Sequence, residues 1–550
     1  MNKSVFIYND KKFTNPIKKI IAFNEIDFFK SLKEIDELKN DYILTGYISY
    51  AAKDCLLNKK IKSSHPLLYF EVHNDYENFK IEKAKEEAKL YIKENIAYEE
   101  YKKNIEKIKK YIKKGTTYEV NYTFSNDIFC DVDGYNLFLN LAKNQKTDYL
   151  AYINNEYDEI LSFSPELFFS VQRNKITTKP MKGTVKRKGN DKKEIDFLKN
   201  DVKNLAENTM IVDLLRNDLS KIENSSNIKV EKLFEVETHK TLHQMTSTIS
   251  AELENFSFED IIKNIFPCGS ITGAPKISTM EVIDEVENYK RNIYCGAIGI
   301  IKKYEANFSV PIRILERKKE EKTYKFCSGG AIVYKSTTKD EWEECKVKKL
   351  FLGNSIDFDL IETVLIKNNI PQYYFEHLKR LKLACDRFGY VFNNKLLTLG
   401  FQNNKIARIV LEKNGNFEIQ YRDINPIKTN KIIISDEKTY SNNPFLYYKT
   451  TYKPYYSESL TKIQKDEIFD SVFFNKKEEL TEGSRSNIVL KMADGLYTPP
   501  IHCGLLNGIY REKLLSEHKI KEKVLYKDDL LNAEKIYMIN SVRGIIEVQL

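Results

Sequence analysis

Hydrophobic and polar residues alternate with a period of two in several short runs of the first half of the chain. These runs predict strands at Val5–Tyr8, 42–49, 67–72, Tyr149–Asn154, 159–164 and Leu167–Gln172. The charged stretch 84–114 predicts a helix, because runs such as Glu106-Lys107-Ile108-Lys109-Lys110 have apolar residues at helical spacing and their charges fall on a solvated face. A longer helical pattern covers 193–221, with Leu198, Val202, Leu205, Met210 and Leu214 near the helical period. Strands and helices then alternate to about Leu350, where Phe351-Leu352-Gly353-Asn354-Ser355 leaves a helix through Gly and Asn, a stop signal. New strand and helix patterns begin near Ser355. The pattern divides the chain into two mixed units of α+β or α/β type, 1–350 and 351–550, joined by a linker too short and too ordinary in composition to be a loose tether.

Composition narrows the function classes. At 550 residues the chain exceeds one ordinary domain, and 42% hydrophobic with 30% charged residues excludes wholesale disorder. Lys and Arg outnumber Asp and Glu 88 to 79, a net charge of +9, but the signs are interspersed. Without a clustered basic stripe nucleic acid is a poor partner, while a mild positive balance suits small anionic substrates. The eight cysteines are scattered with no zinc-type spacing, which predicts buried small hydrophobes in a reducing compartment. Residues 1–13 lack the apolar core of a signal peptide and no run is apolar for a membrane span, so a soluble, cytoplasmic protein is expected.

Four features between 115 and 350 point to chemistry. Gly269-Ser270-Ile271-Thr272-Gly273-Ala274-Pro275-Lys276 is a small-residue loop entering a helical pattern, a place for an anion or a plain turn. Arg313 lies in an apolar run, 308–315, predicted as a strand, where a guanidinium needs an anion from the protein or from a substrate. Glu207 on one helical pattern, and Glu341 with Glu344 on another, could converge on Mg²⁺, although solvated surface charge is the commoner outcome. Finally, Pro180-Met181-Lys182-Gly183-Thr184 sets a lysine against a glycine after a strand.

In this order and spacing the features resemble the chorismate-utilising enzymes, which include anthranilate and aminodeoxychorismate synthase components I and the isochorismate and salicylate synthases. The resemblance spans about 40–350 and adds the runs 115–123, 164–167, 206–218, 294–299 and Ser328-Gly329-Gly330-Ala331-Ile332-Val333. It implies that Lys182, where anthranilate synthases carry alanine, attacks the chorismate ring as a nucleophile. It implies Glu166 as the general acid, Glu207 and Glu344 as Mg²⁺ ligands, and Arg313 with backbone amides near Gly273, Gly329 and Gly330 as the grip on the carboxylates. Glu119 stands where water-activating relatives place a lysine, which argues against water as the incoming nucleophile. Two departures are Gln244, with His243 before it, at a histidine position of the anthranilate synthases, and Asn204 where an acid is frequent.

The second unit offers Tyr447-Tyr448-Lys449-Thr450-Thr451, the small polar turn 480–488, and Gly504-Leu505-Leu506-Asn507-Gly508-Ile509-Tyr510-Arg511, a loop entering a helix. With Asp359-Leu360-Ile361-Glu362-Thr363 and Glu376-His377-Leu378-Lys379-Arg380-Leu381 they resemble the fold-type IV pyridoxal-phosphate (aminotransferase class IV) enzymes over about 355–550. That family holds aminotransferases and aminodeoxychorismate lyase. The resemblance implies that Lys449 bonds pyridoxal 5'-phosphate and Glu482 faces its pyridine nitrogen, while Arg380, Gly508, Ile509 and Ser541 hold its phosphate. The expectation is a bifunctional enzyme that aminates chorismate and then eliminates pyruvate to give 4-aminobenzoate. A synthase fused to a true aminotransferase is the alternative. No cysteine has the setting of a glutaminase nucleophile, so a separate glutamine amidotransferase subunit is expected as partner, and the second family implies a homodimer through the C-terminal domain.

Overall fold

The apolar residues of the first half build two large sheets that face each other through a core of aromatic and branched side chains. This computed structural model describes residues 4–145, 147–187, 189–238, 242–353 and 355–550; Asn354 of the stop signal lies outside them. By Cα proximity the chain forms two units, Met1–Lys85 with Glu94–Asp127 and Phe138–Gly353, and Glu86–Lys93 with Ile128–Leu137 and Asn354–Leu550. In the first unit, one sheet includes Glu119–Cys130, Tyr324–Ile332, Ile314–Lys318, Asp158–Ser164 and Tyr149–Asn154 as successive neighbours. The other includes Met181–Lys186, Leu242–Leu253, Lys175–Lys179, Leu167–Gln172, Glu305–Ser309 and Ala297–Lys302. Phe308 stacks on Phe169 at 5.1 Å and meets Phe258 at 5.2 Å. Helix Phe258–Ile265 turns Phe258, Ile261, Ile262 and Ile265 inward and is capped by the Ser257 hydroxyl, which accepts from the Asp260 amide. Each such fully buried side chain stabilises the fold by roughly 1.5–3 kcal/mol.

Three runs differ from the pattern-based expectation. The helix expected over 84–114 starts only at Tyr98 and ends at Lys113, because Leu90, Tyr91 and Ile92 are consecutive apolar residues and form the strand Leu90–Glu94. The single helix over 193–221 is two, Asp191–Asn200 and Val202–Ser220. Asp201 leaves the helical region at φ −73° and ψ 108°, and its carboxylate accepts from the Asn204 amide as the second helix's cap. The strand expected over 308–315 breaks into Glu305–Ser309 and Ile314–Lys318. Pro311 has no amide hydrogen to pair, and Arg313 adopts φ 54°, in the left-handed region.

The second unit carries an antiparallel sheet ordered Ile370–Pro371, Leu360–Lys367, Ile406–Leu411, Phe417–Arg422, with helix Tyr374–Phe388 packed on it. Its other sheets are Ile432–Thr439, Asp470–Asn475, Leu480–Gly483, and a five-stranded one centred on Asn487–Met492 and Lys535–Asn540. All eight cysteines are buried and none forms a disulfide. No helix among the described residues is long and apolar enough to cross a membrane.

Candidate active sites

Lys182 lies on strand Met181–Lys186 and is 8% exposed. Its Nζ donates to Glu119 Oε1 at 2.5 Å, on the fully buried start of strand Glu119–Cys130, while Glu119 Oε2 has no hydrogen-bond partner among the described residues. Burial works to lower the Lys182 pKa, but the carboxylates of Glu119, Glu207 and Glu166 outweigh it and hold the lysine above its ordinary value. Gly183 turns the chain at φ 82°, and a Cβ there would press on Asn204.

Glu166, in the turn between strands Asp158–Ser164 and Leu167–Gln172, is also buried. Ser270 Oγ donates to Glu166 Oε1 at 2.6 Å. Burial pushes the Glu166 carboxyl up to about 7 against the lowering effects of Ser270, Lys182 and Lys348. A group of this kind still carries its proton in part of the population at neutrality and can deliver it. Arg313 has no carboxylate partner among the described residues, and burial draws its guanidinium down to about 10. An unpaired, largely desolvated cation beside such a site is a receptor for an outside anion.

The glycines of this site permit close approach. A Cβ on Gly273 would overlap the Glu119 carbonyl, and one on Gly329 would overlap the Tyr122 carbonyl. Gly330 faces Glu341, Glu344 and Lys348 on helix Thr338–Lys349.

The expected metal ligands are placed unequally. Glu207, on helix Val202–Ser220, is buried and acts on Lys182, whereas Glu344 is exposed and pairs with Lys348 at 2.7 Å. Lys348 Nζ also donates to the Gly329 carbonyl at 2.7 Å. The donors are hard oxygens suited to Mg²⁺, and a cation bound there would replace Lys348 as the partner of Glu344. Among the described residues, the group of three close potential ligands is a different one, Asp191, Glu194 and His243, where Arg187 already pairs with Asp191 at 2.6 Å. His243 is fully buried there and contacts Thr238 at 3.0 Å. Sequence reasoning missed Ser270, the Glu119–Lys182 pair and Lys348. The last stands four residues after Glu344 on one helix face, a spacing that could have signalled it.

In the second unit all six expected cofactor residues, Arg380, Lys449, Glu482, Gly508, Ile509 and Ser541, line one cavity of about 740 Å³. Lys449 follows the 3-10 turn Pro444–Tyr447, and its carbonyl accepts from the Ile361 amide at 3.0 Å. Burial draws the Lys449 ammonium down to about 7, with Arg380, Lys453 and Arg422 adding to the effect and Glu362 opposing it. Glu482 is buried, accepts from Tyr456 Oη and Asn487 Nδ2 at 3.1 Å each, and is pushed up by burial to about 8. Arg380 donates twice to Glu362 at 2.8 Å and once to the Asn507 carbonyl at 3.2 Å. His377 Nδ1 adds a 2.6 Å contact to Glu362. Burial would raise the Glu362 carboxyl, but Arg380 and His377 hold it well below the usual carboxylate range. Gly508 caps helix Ile509–Ser516, and a Cβ there would overlap the Asn487 amide oxygen. The residues fit pyridoxal phosphate: a near-neutral lysine for its aldehyde, a buried carboxyl with no ion pair among the described residues for its ring nitrogen, and Arg380 with a helix start for its phosphate.

Residues 3–352 match the family described as chorismate binding enzyme, and residues 359–550 match amino-transferase class IV. The chain belongs to the chorismate binding enzyme family and carries a class IV aminotransferase fold behind it. Aminodeoxychorismate synthase component 1 of Escherichia coli (strain K12) is 36% identical over 257 residues, covering 46% of this chain and 56% of that protein. The matched stretch thus spans about half of that relative. Anthranilate synthase component 1 of Aquifex aeolicus (strain VF5) is 26% identical over 385 residues, 64% of this chain and 77% of its own. The crystal structure of anthranilate synthase component I from Streptococcus pneumoniae TIGR4 covers 63% of this chain and 92% of its own with a TM-score of 0.53 at 22% identity, a likeness of fold.

Proposed function

We propose that the first unit aminates chorismate to 4-amino-4-deoxychorismate and that the second removes pyruvate from it, giving 4-aminobenzoate. The observation that carries this reading is the buried pair of Lys182, a potential amine nucleophile, and Glu166, a carboxyl that burial raises to about 7. Lys182 nitrogen bonds to the ring carbon while the ring hydroxyl departs as water, with its extra proton supplied by Glu166. Ammonia then displaces the lysine. Because Lys182 is stored as an ammonium, it must first give up a proton, and Glu119 at 2.5 Å is placed to accept it. Arg313 receives a substrate carboxylate, and Glu207 with Glu344 would hold Mg²⁺, which offsets negative charge facing the attacking amine.

In the second unit bound pyridoxal phosphate would supply an electron sink for bond breaking beside the substrate amine. Lys449, near its own pKa at neutrality, can both give and take a proton there. The class IV match also accommodates a true aminotransferase, the second reading. Burial pushes the Cys295 and Cys503 thiols up to about 12. Neither offers the thiolate needed to hydrolyse glutamine, so a separate amidotransferase subunit would be the glutamine-using partner.

The test is product analysis with purified chain, chorismate, ammonium, Mg²⁺ and pyridoxal phosphate. Equimolar 4-aminobenzoate and pyruvate are expected. Anthranilate as the main product would overturn the first half, and accumulation of 4-amino-4-deoxychorismate without pyruvate would overturn the second.

A further inference from the structure

We propose that the buried ion pair of Glu287 with Arg291 is a positioning device for the first site, locking the strand that begins at Glu119 to the turn that carries Ser270. The proposal rests on reading Glu166 as the acid of that site and deepens it.

Helix Lys276–Val286 ends at Glu287, and Arg291 follows in the segment that leads to strand Ala297–Lys302. The two side chains are only 2% and 1% exposed. Arg291 Nη2 and Nε donate to the two carboxylate oxygens of Glu287, at 2.7 and 2.9 Å. The same guanidinium reaches two backbone carbonyls: Nη1 donates to Ile271 at 2.8 Å and Nη2 to Asn121 at 2.6 Å. Glu287 Oε1 in turn accepts from the Thr123 amide at 2.8 Å and from the Thr123 hydroxyl at 2.7 Å. The Tyr50 ring covers the guanidinium, 4.8 Å from the ring centre.

These bonds end beside the reacting groups of the site. Ile271 adjoins Ser270, whose hydroxyl donates to Glu166, while Asn121 and Thr123 continue the strand from Glu119, the partner of Lys182. The two segments also meet directly, where the Asn121 amide donates to the Thr272 carbonyl at 2.8 Å and Asn121 Nδ2 to the Ile271 carbonyl at 3.0 Å. Stability does not account for the ion pair. Desolvation offsets most of the attraction between two buried charges, and an apolar pair of similar volume often holds a fold as well. What an apolar pair lacks is the planar fork and the carboxylate, whose directed bonds fix Ile271, Asn121 and Thr123 at once. Glu287 and Arg291 therefore act through Ser270 and the Glu119 strand, as positioning residues.

The experiment compares the full chain with its Glu287→Met/Arg291→Met double variant, which removes both charges together and leaves the net charge unchanged. With chorismate, ammonium and Mg²⁺, kcat for amination should fall about 100-fold. KM for chorismate should change less than about threefold, because Arg313 stands on a separate segment. Ser270 then donates less firmly to Glu166, which favours the protonated acid, so the alkaline limb of the rate should move to higher pH. Adding Ser270→Ala to the double variant should move it no further. The groups that face Glu166 in this profile, Lys182, Lys348 and the thiols of Cys268 and Cys295, are the same in both proteins. If the double variant misfolds by circular dichroism, Glu287→Asp, which keeps the charge and shortens its reach, should give the same changes at smaller size. An unchanged kcat, a limb that stays in place, or shifts that add in full overturns the proposal. Hydrogen exchange read by mass spectrometry needs no reaction: segments 118–123 and 269–276 should exchange about tenfold faster in the variant, while Tyr149–Asn154 keeps its rate. A wild type that fails to aminate chorismate would refute the reading of Glu166, whereas unchanged exchange in both segments would refute this one.

Discussion

Lys182 is buried and Lys449 half-buried, yet Lys182 is held above the ordinary lysine value while Lys449 falls to about 7. Burial alone lowers both, because a desolvated ammonium is unfavourable. The difference lies in their company. Three carboxylates act on Lys182, whereas Arg380, Lys453 and Arg422 act on Lys449 with Glu362 as the opposing charge. Lys449 is therefore available as a free amine near neutrality, ready to bond an aldehyde. On the proposed reading Lys182 is kept in reserve and would act as a nucleophile only when arriving ligands change the charge around it. A metal cation at the carboxylates would draw them away from the lysine and lower its proton affinity, which couples nucleophile release to a filled site.

The contrast breaks first at Lys449→Ala. That variant is expected to lose bound cofactor absorbance and to release pyruvate about a thousandfold more slowly or not at all, while chorismate amination continues. Lys182→Ala is next, with 4-amino-4-deoxychorismate formation down by about 100-fold or more and the cofactor absorbance unchanged. A single variant that silenced amination of chorismate and also pyruvate release from supplied 4-amino-4-deoxychorismate would show that the two sites are not independent, and assaying each reaction with its own substrate decides it.

Glu119→Gln sharpens the comparison by removing one of the carboxylates that hold Lys182 up. The Lys182 pKa then falls, so the variant should label at Lys182 with an amine-specific reagent at a pH about one unit lower. Its maximum amination rate should drop as well if Glu119 takes the lysine proton. The groups facing Lys182 in such a profile are Glu119, Glu166 and Glu207. A labelling profile that does not move would remove Glu119 from any role in setting the lysine's charge.

The motifs around Lys182, Glu166, Lys449 and Glu482 were legible because they are local runs of residues, and the regular strands Tyr149–Asn154 and Leu167–Gln172 were legible from alternation alone. What was not legible depends on distant partners. Glu119 and Lys182 stand 63 residues apart, so nothing local announces that they pair or that the lysine is charged. Glu287 and Arg291 were lost in an even scatter of charges, and nothing near them in the chain announces that they hold Thr123 and Asn121, 164 and 170 residues away. The break at Arg313 was missed because an apolar run looks continuous until a proline and a left-handed residue interrupt its pairing. Asp201 likewise reads as one more polar residue on a helix, although its carboxylate starts a new one.

The smallest expected effect concerns the partner of Glu166 and tests whether this carboxyl is the acid that separates the first site from the second. Ser270 donates to Glu166 at 2.6 Å and so favours the ionised form, opposing the burial that brings the group to about 7. The step assigned to Glu166 needs its protonated form, so amination should decline as pH rises through that value. Ser270→Ala removes the donor without adding volume. The Glu166 pKa should then rise, and the alkaline limb of the amination rate should move to higher pH by about half a unit. Pyruvate release from supplied 4-amino-4-deoxychorismate, which uses Lys449, should keep its pH profile. The chain should stay folded, because the hydroxyl also touches only Cys268, at 3.1 Å, among the described residues. The measurement is the pair of pH–rate profiles for wild type and variant. An alkaline limb that stays in place would assign it to another group, and a shift to lower pH would reverse the sign required of a general acid relieved of a hydrogen-bond donor.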